Sequence, residues 1–370
     1  PIETFVWDGG QNTGPVAGMD DWNKGNNWGN NIAPATSAAK AIVMAGLVQT
    51  TNDMNGAYIA HSLLFRNDAG SFTINSSTGD TLTVRGGGIY NESANTQTLN
   101  VSIALGANQS WNAAEGDLVF NGANIVNSTY NLTVAGDFNT TINSIIGAGS
   151  GGLTKVGAGT LTLTGANTYS GTTTIAAGTL IATHSTALGA TTGGTVVDSG
   201  AVLALQNNIT IGNEALTLNG TLRNDSGTNS FAGPISGSGT LTVNAGALTL
   251  GGTTANTYSG TTTVNDGTLT LAKTAGVTAV AGNITIGDGS GAASSATLTL
   301  TNANQIADSS ALTLLADGRL NLNNNNETIG SLDLSGTPLA LDHGYPCRII
   351  APNRPGVLQT KWVTRLETLA

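Results

Sequence analysis

The sequence is poor in cysteine and in charge. Among 370 residues there is one Cys, and 9% of the residues are charged, whereas about 25% is usual in soluble proteins. One Cys cannot form an internal disulfide, which excludes a disulfide-stapled scaffold. The scarcity of charge excludes a soluble coiled coil and an ordinary helical protein with a charged surface. No run of roughly 18 or more apolar residues occurs, so the sequence predicts no membrane-spanning helix.

Basic residues are especially scarce. The 12 Lys and Arg stand against 22 Asp and Glu, which gives a net charge of −10. Because a phosphate backbone is bound by a basic stripe, we expect no nucleic acid partner, and for the same reason we expect no binding to an anionic membrane surface. The first residue is Pro1, so we expect a mature chain whose signal peptide has been removed. A surface rich in Thr, Ser, Asn and Gly is typical of secreted bacterial proteins, and we expect an extracellular or cell-surface location.

Glycine is abundant, with 51 residues, and it precedes short segments in which Leu and Thr alternate. Examples are GTLTL at 159–163 and again at 267–271. Alternation with a period of two predicts β-strands with one buried and one polar face. The inward side chains are predicted to be Leu161, Leu163, Leu180, Leu241, Val243, Leu269 and Leu271, and the outward ones Thr162, Thr242 and Thr270.

The chain repeats itself. The segment NTYSGTTT occurs at 167–174 and at 256–263. Many short strands without a helical pattern are consistent with a sandwich, an up-and-down barrel or a parallel solenoid. Asn-Gly and Asp-Gly turns are too unevenly spaced for a barrel. Stacked coils of roughly 20 residues fit best, with Leu, Val and Ile rows buried between coils and Thr and Asn rows outside.

The repeats resemble the autotransporter-associated β-strand repeat, also called the passenger-associated transport repeat. Residues 151–182 carry the K-x-G-x-G-T-L-x-L-x-G-x-N-x-Y-x-G-x-T run, and residues 237–271 match without the Lys-x-Gly opening. The resemblance implies an all-β, right-handed parallel β-helix (β-solenoid) in a secreted bacterial passenger. It also implies a link to export and stepwise folding, and no catalytic residues. The motif residues are Asn167, Tyr169, Gly171, Gly178, Leu180, Asn256, Tyr258, Gly260, Gly267 and Leu269.

Composition divides the chain into three regions. Twelve of the 17 aromatic residues lie in 1–140, which we interpret as an aromatic-rich β-solenoid and cap. Residues 141–337 are predicted to hold the regular solenoid repeats. Residues 338–370 form a basic tail that contains four of the eight prolines.

The N-terminus carries Trp7, Asp8, Trp22 and Trp28 within the segments FVWDGG and DDWNKGNNW. One interpretation is a cap that covers the open end of the first coil, as the terminal coil of a solenoid requires. The other is an exposed cluster whose rings stack on sugars. The cap is the preferred interpretation.

The tail, residues 342–369, resembles the C-terminal end of sulfite-oxidase-type molybdopterin oxidoreductases. The resemblance rests on the HGYP segment and on the basic residues of this stretch. It implies that His343, Arg348 and Lys361 would lie near a pterin phosphate. Cys347 does not stand at the position of the family's molybdenum ligand. We therefore predict no cofactor for this chain.

Other candidates for chemistry are sparse. His61, His184 and His343 are far apart and form no metal-binding motif. Asp198, Asp225, Asp266, Asp288, Asp308 and Asp317 follow turn patterns in which Asp accepts from its own backbone, and Arg223 and Arg319 are expected to be isolated.

The sequence thus predicts a structural, adhesive or fibre-forming protein without enzyme activity. Its predicted partners are further copies of itself in a fibre, or a cell-surface or carbohydrate ligand. The alternatives are a polysaccharide-binding or -cleaving β-helix and, from the tail alone, a molybdopterin oxidoreductase. A polysaccharide-cleaving site would require three or more carboxylates and a basic residue on one face.

Overall fold

A computed structural model describes residues 3–7, 21–29, 32–35, 40–47, 50–147 and 149–334, together with the backbone of 365–367. This part of the chain is almost entirely β-structure. Its single helical element is a short 3₁₀ turn, Gly25–Asn27. The chain divides into two compact units, Pro1–Leu222 and Arg223–Ala370. The compositional boundaries at 140 and 337 stay predictions.

The first unit contains 22 named strands and the beginning of the next. They are β1 (Thr4–Trp7), β2 (Lys40–Met44), β3 (Thr51–Asp53), β4 (Tyr58–Phe65), β5 (Thr73–Asn75), β6 (Thr81–Asn91), β7 (Gln97–Leu99), β8 (Ser102–Leu105), β9 (Gln109–Ala113), β10 (Leu118–Phe120), β11 (Asn124–Val126), β12 (Leu132–Gly136), β13 (Thr140–Ile142), β14 (Ile145–Ile146), β15 (Leu153–Lys155), β16 (Thr160–Leu163), β17 (Thr173–Ile175), β18 (Thr179–Ala182), β19 (Thr195–Val197), β20 (Val202–Leu205), β21 (Thr210–Ile211) and β22 (Leu216–Leu218).

The second unit begins within the next strand and contains the remaining ones. They are β23 (Thr221–Asn224), β24 (Thr228–Phe231), β25 (Ile235–Ser236), β26 (Thr240–Val243), β27 (Ala247–Leu250), β28 (Thr262–Val264), β29 (Gly267–Leu271), β30 (Ile284–Ile286), β31 (Ala296–Leu300), β32 (Ala311–Leu314), β33 (Gly318–Asn321), β34 (Ser331–Asp333) and β35 (Arg365–Glu367).

Within the first unit, β1 pairs with β2, and the later strands pair with strands of the next coil rather than with their sequence neighbours. One sheet runs β1-β2-β4-β6-β9-β12-β15-β17-β19-β22, and a second runs β3-β5-β7-β10-β13-β16-β18-β20. β8, β11 and β14 form a short ladder that branches from the first sheet, where β8 pairs with β6. The pairs are parallel, and they are in register apart from shifts in β2–β4 and β4–β6. This is the topology of a parallel β-solenoid, as the sequence predicts.

The register gives the length of a coil. Leu118 pairs with Thr140, which pairs with Leu161, and Leu161 pairs with Leu180. Successive partners are therefore separated by 22, 21 and 19 residues. The predicted repeat of roughly 20 residues is confirmed.

The second unit is built in the same way. One sheet contains β26-β28-β30-β32-β34 and another β24-β27-β29-β31-β33, with parallel pairs. β35 pairs with β33 in the antiparallel sense.

Leucine columns form the core of both units. Leu161, Leu180 and Leu203 stack in register, and all three are fully buried. Full burial of one such side chain contributes about 1.5–3 kcal/mol. All seven side chains predicted to point inward are buried, and the three outward Thr are partly exposed. The predicted strand register is confirmed.

Candidate functional site

Asn167 of the repeat motif connects three successive coils. Its side chain is buried in a corner of the solenoid. The backbone N–H of Ile146, in the preceding coil, donates to Asn167 Oδ1 at 2.9 Å, and Asn167 Nδ2 donates to the carbonyl of Ala187, in the following coil, at 2.7 Å. One amide thus satisfies a backbone donor and a backbone acceptor that the corner leaves unpaired.

Asn256 repeats this arrangement in the second unit. Ile235 N–H donates to its Oδ1 at 2.9 Å, and its Nδ2 donates to the Ala279 carbonyl at 2.8 Å. The same two contacts, one backward and one forward along the stack, therefore recur at the same motif position. The role of this Asn is to hold neighbouring coils in register.

The motif tyrosine lies two residues later and is completely buried. The Tyr169 hydroxyl lies 2.6 Å from Thr173 Oγ1, and the Tyr258 hydroxyl lies 2.6 Å from Thr262 Oγ1. Thr173 Oγ1 in turn contacts the Leu188 carbonyl at 2.9 Å. Burial raises the pKa of both tyrosines above the ordinary value. Both therefore remain neutral hydrogen-bonded core residues at physiological pH.

The motif glycines lie where neighbouring coils approach most closely. A Cβ on Gly171 would lie 2.5 Å from the backbone of Gly151, and a Cβ on Gly260 would collide with Gly239. Gly178 and Gly267 have φ of +68° and +80°, which L side chains rarely adopt. The strands after these two turns place Leu180 and Leu269 in the core, where both are fully buried.

Lys155, the motif lysine, points into the solenoid instead of into solvent. It stacks in register between Val134 and Ile175, and it is 2% exposed. Its Nζ donates to the carbonyls of Val156 and Gly157 at 2.8 and 2.7 Å, and to the carbonyl of Ala177 one coil later at 3.4 Å. Burial lowers the pKa of Lys155 to about 8.

The second unit contains a comparable buried lysine that the motif does not include. Lys273 is fully buried, and its Nζ donates to the Gly251 carbonyl at 2.8 Å. Burial lowers its pKa to about 8 as well. The burial of these two lysines is not among the expectations drawn from the sequence. For Lys155 the signal was available, because it occupies the third position of the alternating segment LTK.

The outer surface of the first unit carries a hydrogen-bonded ladder of amides. Asn100 Nδ2 donates to Asn75 Oδ1, Asn121 donates to Asn100, and Asn143 donates to Asn121, at 2.7, 3.1 and 2.7 Å. Thr164 Oγ1 then donates to Asn143 Oδ1 at 2.8 Å. We call these five side chains, on five successive coils, the asparagine ladder. Predicted rows of Asn outside the core are thus present.

The second unit presents columns of threonine. In one sheet the side chains that occupy a single register position are Thr242, Thr263, Thr285 and Thr313. In the other sheet Thr249, Thr270 and Thr299 align in the same way. All are partly exposed. The two columns therefore present a regular array of hydroxyl and methyl groups, and the first column continues to Asp333.

Trp7, Trp22 and Trp28 form a buried cluster. All three are 0% exposed, and their rings meet edge to face, with centroids 5.2 Å apart for Trp7 and Trp28 and 5.8 Å for Trp22 and Trp28. Trp22 Nε1 donates to Asn52 Oδ1 at 3.0 Å. A ring without exposed surface offers no face to a sugar. The three rings thus pack as part of the hydrophobic interior. Asp8, which the sequence groups with them, lies outside the described residues.

Candidate clusters of titratable groups are small in the part of the chain that the structure describes. Within the described residues, no group of three or more His, Cys, Asp or Glu could hold a metal ion. An open groove of about 530 Å³ contains two carboxylates, Glu92 and Glu115, but its lining includes no Lys or Arg. None of the helices described here is long and apolar enough to cross a membrane.

Two expectations about charged residues are wrong. Arg223 is not isolated, because its Nε lies 2.7 Å from Asp225 Oδ1. Asp317 accepts no local turn bond of the predicted kind. It is buried, and Gly289 N–H in the preceding coil donates to it at 2.8 Å. Asp288 does behave as predicted, since Ser290 N–H donates to its Oδ1 at 2.8 Å.

Comparison with known families identifies the repeat. The passenger-associated transport repeat matches residues 153–182 and 236–271, the two segments that contain Asn167 and Asn256. The oxidoreductase molybdopterin binding domain matches residues 308–370. No curated protein matches the chain, and no solved structure does.

The described part of the second match does not fit a pterin cofactor. Residues 308–334 contain no Cys, His or Lys, and they form coils of the solenoid in which β32 pairs with β30 and β34. Leu312 and Leu314 are buried in its core. His343, Arg348 and Lys361 lie outside the described residues.

Proposed function

We propose that this chain is a secreted bacterial β-solenoid of the autotransporter-passenger type, with a structural, adhesive or fibre-forming role and no catalysis. The observation that carries the proposal is the repeat itself. Its matched residues (Asn167, Tyr169 and Lys155 among them) point into the coil corners and bind backbone groups. Because these residues hold coils together, they are unavailable for chemistry. The function would therefore reside on the outer surface.

The outer surface supports a role in contacts rather than in reactions. The asparagine ladder and the threonine columns are uncharged, regular and partly exposed. Each Asn and Thr can both donate and accept hydrogen bonds, which suits a partner rich in hydroxyl or amide groups. A carbohydrate or a protein surface on a neighbouring cell has this chemistry.

Self-association through the chain ends is part of the proposal. The tail 338–370 has four basic and two acidic residues, whereas the whole chain has a net charge of −10. The positive tail of one copy would attract the acidic remainder of another, and salt would weaken that contact. Unpaired strand edges at the end of a solenoid would add backbone hydrogen bonds.

Light scattering of the full chain and of a variant lacking 338–370, each at low and high salt, tests association. We expect oligomers that dissociate in salt and are absent from the shortened variant. Electron micrographs of the full chain would then show rods joined end to end. A monomer in all four samples would reject the fibre-forming role and leave adhesion to be tested by binding to glycans and cells.

The alternatives have separate tests. Sugar release from polysaccharides by the wild type, abolished in the variant Glu92→Gln/Glu115→Gln, would establish a polysaccharide-cleaving enzyme instead. Stoichiometric molybdenum in the purified protein would establish the oxidoreductase.

A further inference from the structure

Glu214 is an acid in the interior of the first unit. It is 1% exposed, and Thr195 Oγ1 donates to its Oε1 at 2.8 Å. The ion pairs among described residues are Lys40–Glu3, Arg66–Asp68 and Arg223–Asp225, and none of them includes Glu214. An ionised carboxylate at this position is therefore removed from water without a cation to compensate it.

The place of Glu214 in the stack explains its burial. Leu153, Thr173, Thr195 and Leu216 occupy one register position on successive coils. Two residues before each of them stand Gly151, Gly171, Gly193 and Glu214. A Cβ on Gly171 or Gly193 would collide with the backbone of the coil below. Glu214 thus stands at the position where the three preceding coils have glycine. Its side chain turns back to Thr195 in the preceding coil.

The groups that face Glu214 are neutral. Thr195 pairs with Thr173, whose hydroxyl contacts Tyr169. Tyr169 is the titratable group in this environment, and the negative charge of Glu214 contributes to its raised pKa. Lys155, the buried cation of the same sheet, lies at the opposite end of its strand, where it donates to carbonyl groups.

We propose that the protonation of Glu214 controls the local opening of the coils from β17 to β22. With its proton, Glu214 is a neutral hydrogen-bonded group that packs against Thr195 and the glycine corner. Without the proton, a charge stands in the coil interior with one hydroxyl donor, and this favours local opening of the coils to water.

The direction of the pH dependence follows from the burial. Desolvation raises the pKa of Glu214, and the bond from Thr195 opposes part of that rise. The folded coils therefore hold the proton at pH values where the unfolded chain has released it. This contribution to stability is fully present below the ordinary Glu pKa of about 4.3, and it is lost as pH rises through the folded value.

Hydrogen exchange measured by mass spectrometry on the full chain tests whether Glu214 controls this opening. Wild type, Glu214→Gln and the exposed-acid control Glu115→Gln are compared at pH 5 and pH 8, after correction for intrinsic exchange. For peptides within 173–218 of wild type and of the control, we expect more opening at pH 8 than at pH 5, because the folded coils lose the stabilising proton as pH rises through the raised pKa of Glu214. Glu214→Gln should show no such change.

Equal pH dependence in wild type and Glu214→Gln would overturn the proposal, as would a wild type without any pH effect. Thr195→Val gives a second, independent test if Glu214→Gln fails to fold. The valine removes the donor to the ionised carboxylate, so the midpoint of the pH-dependent opening should move upward. An unchanged midpoint would also overturn the proposal.

Discussion

Individual polar residues inside this solenoid serve the backbone. Asn167, Asn256, Lys155 and Lys273 all direct their donors to carbonyl groups at the corners of coils. Corners are where strand ladders end, so carbonyl and N–H groups are left unpaired there. The motif is therefore a set of internal hydrogen bonds that repeats with the coil.

The first prediction concerns Asn167. Asn167→Ala should strongly lower the free energy of unfolding, because it leaves Ile146 N–H and the Ala187 carbonyl unpaired, at about 1–3 kcal/mol for each buried group. Asn143→Ala, in the exposed asparagine ladder, should cost roughly 0.5 kcal/mol. Denaturant unfolding of the full chain measures both, and equal losses in the two variants would contradict the cross-coil role.

The second prediction concerns the pH dependence of Lys155. Its folded pKa is about 8, below the ordinary value of about 10.4. The unfolded chain therefore binds more protons between these values, so stability should rise as pH increases from about 7 to about 9.5. Lys273 should add to the same slope, since its pKa is also about 8.

Denaturant unfolding across this pH range measures the slope in wild type, Lys155→Met and Lys155→Met/Lys273→Met. We expect the slope to decrease in the single variant and again in the double variant. Measurements should stop near pH 9.5, because the buried tyrosines favour the opposite trend once unfolded Tyr ionises near about pH 10. A double variant with the wild-type slope would refute the assignment.

The residues of the motif are easier to predict from the sequence than their contacts are. Alternation identifies Leu161 and Leu180 as core because apolar side chains need no partner beyond other apolar atoms. The contacts of Asn167 depend on groups about 20 positions before and after it, and alternation says nothing about them. The burial of Glu214 cannot be predicted from alternation for the same reason, since only the register shows that it follows a column of glycines.

Strands are the elements that the sequence predicts best. The Leu-Thr alternation specifies both faces of β16, where Leu163 is fully buried and Thr162 is partly exposed. The short ladder of β8, β11 and β14 was not predicted, because β11 and β14 contain only three and two residues and are too short to show alternation. Periodicity in the sequence therefore does not predict the corners of a coil or its shortest strands.

The third prediction concerns the register of β16. Leu163→Asp places an unpaired charge in a leucine column and should cost several kcal/mol, about what burial of an unpaired ion requires. Thr162→Asp faces outward on the same strand and should change stability by roughly 1 kcal/mol or less. Thermal unfolding followed by circular dichroism measures both variants. Similar damage from the two substitutions would reject the register.

At the scale of the whole molecule, we expect stability to be approximately a sum over coils. Each strand pairs with the coils before and after it, as β16 does with β13 and β18. Coupling between coils is therefore a nearest-neighbour property, as in other repeat proteins. This construction tolerates a surface with few charges and coils of unequal length, which explains why the degenerate repeat still predicts the fold.

The last prediction follows from this local coupling. Leu163→Asp should increase hydrogen exchange in the coils around it, within residues 140–205, because β13, β18 and β20 in this range pair directly or through one neighbour with β16. Peptides within 262–314 should keep wild-type protection, because the stability of those coils depends on pairing with the coils next to them. Hydrogen exchange of the full chain in mild denaturant measures both regions. If protection were lost equally in 140–205 and 262–314, the chain would unfold as one cooperative body, and the additive description of the solenoid would be wrong.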